Sequence, residues 1–261
     1  MPELPDVEIY KRYIDATSLH KRIRNVEVRT GKVLDGISIR KLRSELQGRS
    51  LMSTKRHGKY LFVTVGEKLC LMLHFGMTGN LRYLKDLKGE PPYSRILFHF
   101  ENGYSLIYIS LRLLGKAGLV KDIEKFIEEK KIGPDAIEID LETFKETMNT
   151  RRGHIKSALM DQRLIAGIGN IYSDEILFQS GIHPRAPVRG LDEEGTKMLF
   201  RNMKRVLKTA IDRRADPEKI PMSYMLPHRQ KNGVCPRCGD RIQRMKISGR
   251  SAYYCPSCQK A

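Results

Sequence analysis

The chain has 261 residues, 40% of them hydrophobic, enough for two compact modules with cores of their own and too much for a single short binding motif. Lys and Arg number 48 against 30 Asp and Glu, and the net charge of +18 points to a polyanionic partner. No apolar run reaches the roughly eighteen residues of a membrane span, and the N-terminus lacks the charged-then-apolar pattern of a signal peptide, so a nucleic acid in the cytoplasm suits the charge better than a membrane surface.

Taken in order, the chain predicts a helix over about Pro5 to Thr17 and then strand-like runs: VEVRTG, RSLMSTKRHGKYLFVTVGE, KLCLMLHFGMTGNLRYL and SRILFHFENGYSLIYIS. These alternate with period two or run continuously apolar between Gly and Asn punctuation, and Asn102-Gly103 marks a hairpin turn inside the last. KDIEKFIEEKK predicts a closing helix, so this half reads as a β-sandwich with flanking helices. Cys70, in LCLMLHF, reads as a small buried hydrophobe. Ile132-Gly133-Pro134-Asp135 stops the helix and changes the composition, which places a first domain at 1–131.

From Leu141 the periodicity is helical: LETFKETMNT, HIKSALMDQRLIAG, GNIYSDEILFQSG and DEEGTKMLFRNMKRVLKTAIDRR. In the last of these Met198, Leu199, Met203, Val206, Leu207, Ala210 and Ile211 recur at helical spacing and predict one buried face. This helical domain runs over 132–228, ending in the connector ADPEKIPMSYMLPHRQKNG.

The tail, 229–261, holds Cys235-Pro-Arg-Cys238 and Cys255-Pro-Ser-Cys258, separated by sixteen residues. Two close pairs joined by enough chain for a β-hairpin match a structural zinc site. Four thiolates fill the tetrahedron and leave no open position for a catalytic water. Two disulfides or four free thiols are the other reading, disfavoured in a reducing cytosol. The tail also carries Arg229, Lys231, Arg237, Arg241, Arg244, Lys246, Arg250 and Lys260 against the single acid Asp240. Such guanidinium groups suit phosphates, although a solvated basic face has the same composition. The fold class expected is α+β multidomain: an N-terminal β-sandwich with flanking helices, a helical domain and a zinc-finger β-hairpin.

Five segments then occur in one order: MPELPDVE, GKYLFV, HFGMTGNLR, IKSALMDQRLIAGIGNIYSDEILFQSGIHP and YYCPSCQK. Together they resemble the formamidopyrimidine-DNA glycosylase and endonuclease VIII family over nearly the whole chain. The resemblance implies a bifunctional DNA glycosylase and abasic-site lyase that removes oxidised or ring-opened bases and nicks the strand by β,δ-elimination. It implies a helix-two-turn-helix motif in the helical domain, one structural zinc on Cys235, Cys238, Cys255 and Cys258, and a monomer acting on double-stranded DNA with damaged bases or abasic sites.

The residue types fit that chemistry. A small second residue permits loss of Met1, leaving Pro2 as a secondary amine; an α-amino group with a pKa of about 8 is partly neutral and nucleophilic near pH 7. A retained Met1 would block it, and an ordinary N-terminal proline looks the same in sequence. Glu3 is placed to move protons at the sugar ring oxygen, or else serves as a helix N-terminal carboxylate. Lys59, expected at the start of a strand, matches the family's proton-donating lysine and is also an unremarkable strand-edge residue.

The GIGN segment ending at Asn170 predicts helix N-terminal N–H groups facing outward to a phosphate, or only a turn. Lys156, Asn170 and Arg250 match the family's phosphate-contacting positions. His74 and Met77 lie in the turn that supplies an inserted apolar side chain once the base is extruded. In the neighbouring loop the family reads close to Asp-Pro-Arg-Arg-Phe-Gly and this chain reads Ser110-Leu111-Arg112-Leu113-Leu114-Gly115. Arg112 is retained, while Leu114 replaces an aromatic wedge and cannot stack. The connector is shorter than the loop that covers 8-oxoguanine in many members, leaving ring-opened purines, hydantoins and oxidised pyrimidines open as lesions. The altered loop also suits a lyase-only or damage-binding member, and the tail alone would suit a non-catalytic zinc ribbon.

Overall fold

The apolar runs of the first half become two antiparallel sheets in the computed structural model, which describes residues 1–260. Helix α1 (Leu4–Thr17) leads into β1 (Ile23–Val28), α2 (Ile39–Leu46), β2 (Leu51–His57), β3 (Tyr60–Val65), β4 (Cys70–His74) and β5 (Gly79–Leu84). Then come β6 (Ser94–Phe100), β7 (Ser105–Ser110), β8 (Lys116–Val120) and α3 (Ile123–Glu129). The sheet orders are β1-β6-β7-β5 and β2-β3-β4-β8.

Val26, Phe98, Leu106 and Tyr108 of one sheet and Leu61, Val63, Leu71 and Leu73 of the other join one core with Val7 and Ile14 of α1, which makes the pair a sandwich. The second sheet is also covered on its outer face, where Phe62, Cys70, Met72 and Val120 pack with Ile123 and Phe126 of α3. Burial on both faces explains why YLFVTV and CLMLH read as continuous apolar runs.

Two elements lie outside the sequence expectation. Helix α2 begins where the Ser38 side chain accepts from the Lys41 N–H, and it buries only Leu42 and Leu46. Strand β8 is short and contains Gly118, where a Cβ would lie 2.9 Å from the Asp35 carbonyl oxygen. Neither carries enough apolar pattern to stand out. Lys59 is also displaced from its expected place: His57 pairs with Tyr60, so Gly58 and Lys59 form the two-residue turn between β2 and β3, with Gly58 at φ +54°.

Contacts divide the chain into two units, Met1–Pro2 with Asp6–Lys130, and Glu3–Pro5 with the chain from Lys131 onward. The second contains α4 (Leu141–Asn149), α5 (Ile155–Met160), α6 (Asn170–Ser180), α7 (Glu193–Asp212), β9 (Gln243–Ile247) and β10 (Arg250–Tyr254). Helix α6 is buried nearly all round, with Tyr172, Ile176, Leu177 and Phe178 in apolar contact. Ser248 and Gly249, both at positive φ, turn β9 into β10. Among the described residues no helix is long and apolar enough to cross a membrane.

Helix α7 is capped by Asp192, whose side chain accepts from the Gly195 N–H, and it buries Leu199, Met203, Val206, Leu207, Ala210 and Ile211. Met198 was expected on that face and is 42% exposed instead. It precedes the stripe by one residue, about 100° around the helix; Asn202 takes the buried place and donates to Ser180 Oγ at 3.0 Å. Met203→Ala should therefore cost about 2–5 kcal/mol in urea unfolding, while Met198→Ala should stay within about 0.5 kcal/mol.

Candidate active site

Helix α6 has no side-chain cap of its own, because its N-cap residue is Gly169. Glu3 supplies the missing acceptor from the far end of the sequence. Its Oε2 accepts from the N–H groups of Gly169 at 2.7 Å and Tyr172 at 3.3 Å, and Oε1 accepts from Ile171 at 2.8 Å. The Glu3 side chain is fully buried, and the Leu4 N–H is held by the Gly167 carbonyl at 3.0 Å. A helix N-terminus with its unpaired donors and positive dipole end is a natural seat for a carboxylate. These N–H groups were expected to face outward toward phosphate; they are turned onto Glu3 instead.

The GIGN glycines are required by this approach. Gly167 has φ +113°, and a Cβ on it would lie 2.5 Å from Leu4 Cδ1, while a Cβ on Gly169 would lie 2.3 Å from Glu3 Cδ. Gln162 fixes the loop from beneath, accepting from the Gly167 N–H at 3.0 Å and donating to the Ile168 carbonyl at 2.7 Å. The peptide that carries Glu3 also carries Pro2, which is partly exposed behind an exposed Met1.

In the first unit, His74 ends β4 with its ring 4.8 Å from that of Tyr60. Burial, and then the positive charge of Lys59, lower its pKa to about 4, against a smaller opposing effect of Asp35. The Nδ1 accepts from the Gly76 N–H at 3.3 Å, which leaves the proton of the neutral ring on Nε2. The turn after His74 lies against the loop after β7. A Cβ on Gly76, which has φ +58°, would lie 2.5 Å from the Leu114 carbonyl carbon. The Arg112 N–H donates to Thr78 Oγ1 at 3.2 Å, and Tyr108 Oη donates to the His74 carbonyl at 2.8 Å. On this platform Met77, Leu111 and Leu114 are 39%, 47% and 48% exposed, with the Arg112 side chain also exposed among them. Leu113, at φ +55°, reverses the chain between Arg112 and Leu114. The only signal for Leu111 in sequence was an apolar residue where the family pattern has proline.

Lys156 departs most from expectation. It is fully buried, and its ammonium donates to Asp174 Oδ1, to the Asn170 carbonyl at 3.3 Å and to the Ser251 carbonyl at 3.4 Å. Asp174 also accepts at Oδ2 from Arg229 Nε at 2.9 Å and the Tyr253 N–H at 3.2 Å. Asn170 Oδ1 is buried with no hydrogen-bond partner among the described residues. Arg250 is exposed at the start of β10, with Nη1 3.7 Å from Met160 Sδ. Asp174 was not singled out from sequence, and Arg229 was named only among the basic residues of the tail. The available signal was the pair Asp174-Glu175 inside a helix apolar on every side, since buried carboxylates demand partners. Glu175 meets that demand by accepting from the Leu226 N–H at 2.8 Å and Gln179 Nε2 at 2.8 Å; burial still pushes its pKa up to about 7.

The four cysteine sulfurs converge, all within 4.8 Å of one another, with Cys235–Cys258 at 3.8 Å and Cys238–Cys255 at 3.5 Å. A tetrahedron with Zn–S bonds of about 2.3 Å has edges of about 3.8 Å, so these residues fit one structural zinc. Cys235 and Cys255 are buried with Ile242, Met225 and Phe178 of α6.

Three outcomes follow. Gly169→Ala should displace Glu3 and free the N–H groups of Ile171 and Tyr172, whose hydrogen exchange should accelerate at least about tenfold. The folded protein keeps His74 neutral down to about pH 4, whereas the unfolded chain takes up that proton near pH 6.5; in that window the unfolded state binds more protons and stability falls as pH falls. His74→Gln should remove this part of the slope in urea titrations across the window. Chelating the zinc should release the finger and lower Tm, with hydrogen exchange accelerating first at Ile242 and Ala252.

Residues 1–117 match the family model described as the formamidopyrimidine-DNA glycosylase N-terminal domain, 132–220 the H2TH domain of the same enzymes, and 233–261 the zinc finger found in FPG and IleRS. The formamidopyrimidine-DNA glycosylases of Desulforamulus reducens and Carboxydothermus hydrogenoformans are 34% and 33% identical to this chain, covering the whole of both partners in each comparison. The structure is similar, with a TM-score of 0.91 at 28% identity, to Lactococcus lactis Fpg solved with abasic-site DNA and with N7-benzyl-Fapy-dG DNA, over 99% and 100% of this chain and all of theirs. The chain belongs to the formamidopyrimidine-DNA glycosylase family.

Proposed function

We propose that this protein is a base-excision-repair DNA glycosylase and abasic-site lyase working through Pro2, on double-stranded DNA with damaged bases or abasic sites, in the cytoplasm at the nucleoid. The observation that carries the reading is the Glu3 carboxylate, fixed beside Pro2 in sequence by three N–H groups of the Gly169–Tyr172 segment. With Met1 removed, the Pro2 amine attacks C1′ and the bond to the base breaks, its electrons leaving with the base. The Glu3 carboxylate takes the N–H proton that the amine loses after its attack and passes it to the ring oxygen as the sugar opens to an iminium. The iminium acidifies C2′; loss of that proton expels the 3′ phosphate, and a second elimination expels the 5′ phosphate.

Lys59 serves this chemistry as proton donor. The Nε2–H of neutral His74, the Asn170 side chain and Arg250 offer donors to the phosphates around the extruded nucleotide. Met77 and Leu114 fill the vacated space and Arg112 reads the orphaned base. Work divides among 1–131 for chemistry, 132–228 for backbone binding and 229–261, whose zinc is structural. The protein acts as a monomer. A second reading, a lyase-only or damage-binding member, draws on Leu114 in place of the aromatic wedge.

Borohydride trapping separates these readings. Protein shown by mass spectrometry to begin at Pro2 should form a covalent adduct with both abasic and lesion duplexes, and Pro2→Gly should lose it. An adduct on abasic DNA alone would select the lyase-only reading, and none on either substrate would defeat the catalytic one.

A further inference from the structure

In the register of the β9–β10 hairpin, Arg250 pairs with Ile247 next to the turn, Ser251 with Lys246 and Tyr253 with Arg244. Alternation of hydrogen-bonded and non-hydrogen-bonded pairs then leaves Ser251 and Tyr253 with backbone groups pointing outward from the edge of β10. Two of these outward groups are met by side chains: the Tyr253 N–H donates to Asp174 at 3.2 Å, and the Ser251 carbonyl accepts from Lys156 at 3.4 Å. One residue offers an acceptor and the other a donor, and they are paired with each other. Between them they stand where a neighbouring strand would lie. Arg229 closes the group on Asp174 at 2.8 Å, and Ser157 Oγ meets Ser248 Oγ in the turn at 2.8 Å.

An ammonium has three N–H donors, and Lys156 has three acceptors in the Asp174 carboxylate and the Asn170 and Ser251 carbonyls. No proton is left for a phosphate, and drawing Lys156 outward would strand the buried Asp174 charge. We infer that Lys156 and Asp174 form a positioning pair that sets the register of the finger hairpin on α5 and α6, so that Lys156 acts on DNA through Arg250 and not as a phosphate ligand itself. The inference rests on the reading of Arg250 as a phosphate contact.

A double-mutant cycle on the full-length, zinc-loaded protein tests it, with affinity for an abasic-analogue duplex, its salt dependence and the yield of δ-elimination as readouts. Arg250→Ala should weaken binding and reduce the salt slope by about 0.9, the share of one phosphate. Lys156→Met should weaken binding in the parent background, and adding it to Arg250→Ala should change affinity by less than about twofold. Full additivity, with a further loss of about 0.9 in slope, would overturn the inference alone. No effect of Arg250→Ala would remove the Arg250 reading and the inference with it. Should Lys156→Met fail to hold zinc, Asp174→Asn decides by sign: a positioning pair gives weaker binding and less δ-product, whereas a phosphate-binding lysine freed from its counter-ion gives tighter binding.

Discussion

A single carboxylate, that of Glu3, caps the helix that begins at Asn170, and much of the second unit is arranged to make that possible. Three N–H groups must converge on it, so the chain before α6 must turn sharply at Gly167 and come within van der Waals distance at Gly169. Gln162 holds the loop open from the other side, and Leu4, the next residue after Glu3, is buried in the same core as Ile168 and Tyr172. The second residue of the chain is thereby given a fixed neighbour. Residues close to a chain terminus are otherwise among the least ordered parts of a protein, and the cap restrains Glu3.

The carbonyl of Asn170, at the same helix end, accepts from both Lys156 and Arg229. Charge buried at Asp174 therefore ties the start of α6 to the zinc hairpin. Buried ion pairs do not generally stabilise a fold relative to apolar substitutes, but losing one partner is costly and the geometry is demanding. Here the geometry is the useful part, because hydrogen bonds to Ser251 and Tyr253 specify one placement of β10 where apolar packing of Phe178 against Cys255 and Ile242 would tolerate several. Zinc closes the far end of the same hairpin, in a module of about thirty residues too small to hold itself together by burial.

On the sandwich one loop, Ser110 to Gly115, departs from the family pattern. Three contacts hold it: the close approach at Gly76, the Arg112 N–H to Thr78, and the Tyr108 hydroxyl beneath His74. Its exposed apolar side chains, Leu111 and Leu114, are aliphatic. Leucine and methionine fill space and exclude water without the face-to-face attraction of a ring for a base. Backbone contacts fix the platform, while Leu111 and Leu114 give it an exposed aliphatic surface.

Sequence alone determined the features that depend on local spacing. The cysteine pairs specified a zinc site because four ligands on two tight turns leave few other arrangements, and period two against period 3.6 divided sandwich from helices near Lys131. It also singled out Pro2, Glu3 and Arg250 as candidates, through motifs in a fixed order. Tertiary structure decided where the polar groups of α6 point, since GIGN is compatible with an outward phosphate site or an inward carboxylate, and only the position of Glu3, far away in sequence, distinguishes them. It decided that Lys156 is buried and that Met198 is not, because burial depends on which element packs above a residue. A local pattern specifies which faces need cover, and long-range contacts determine what covers them.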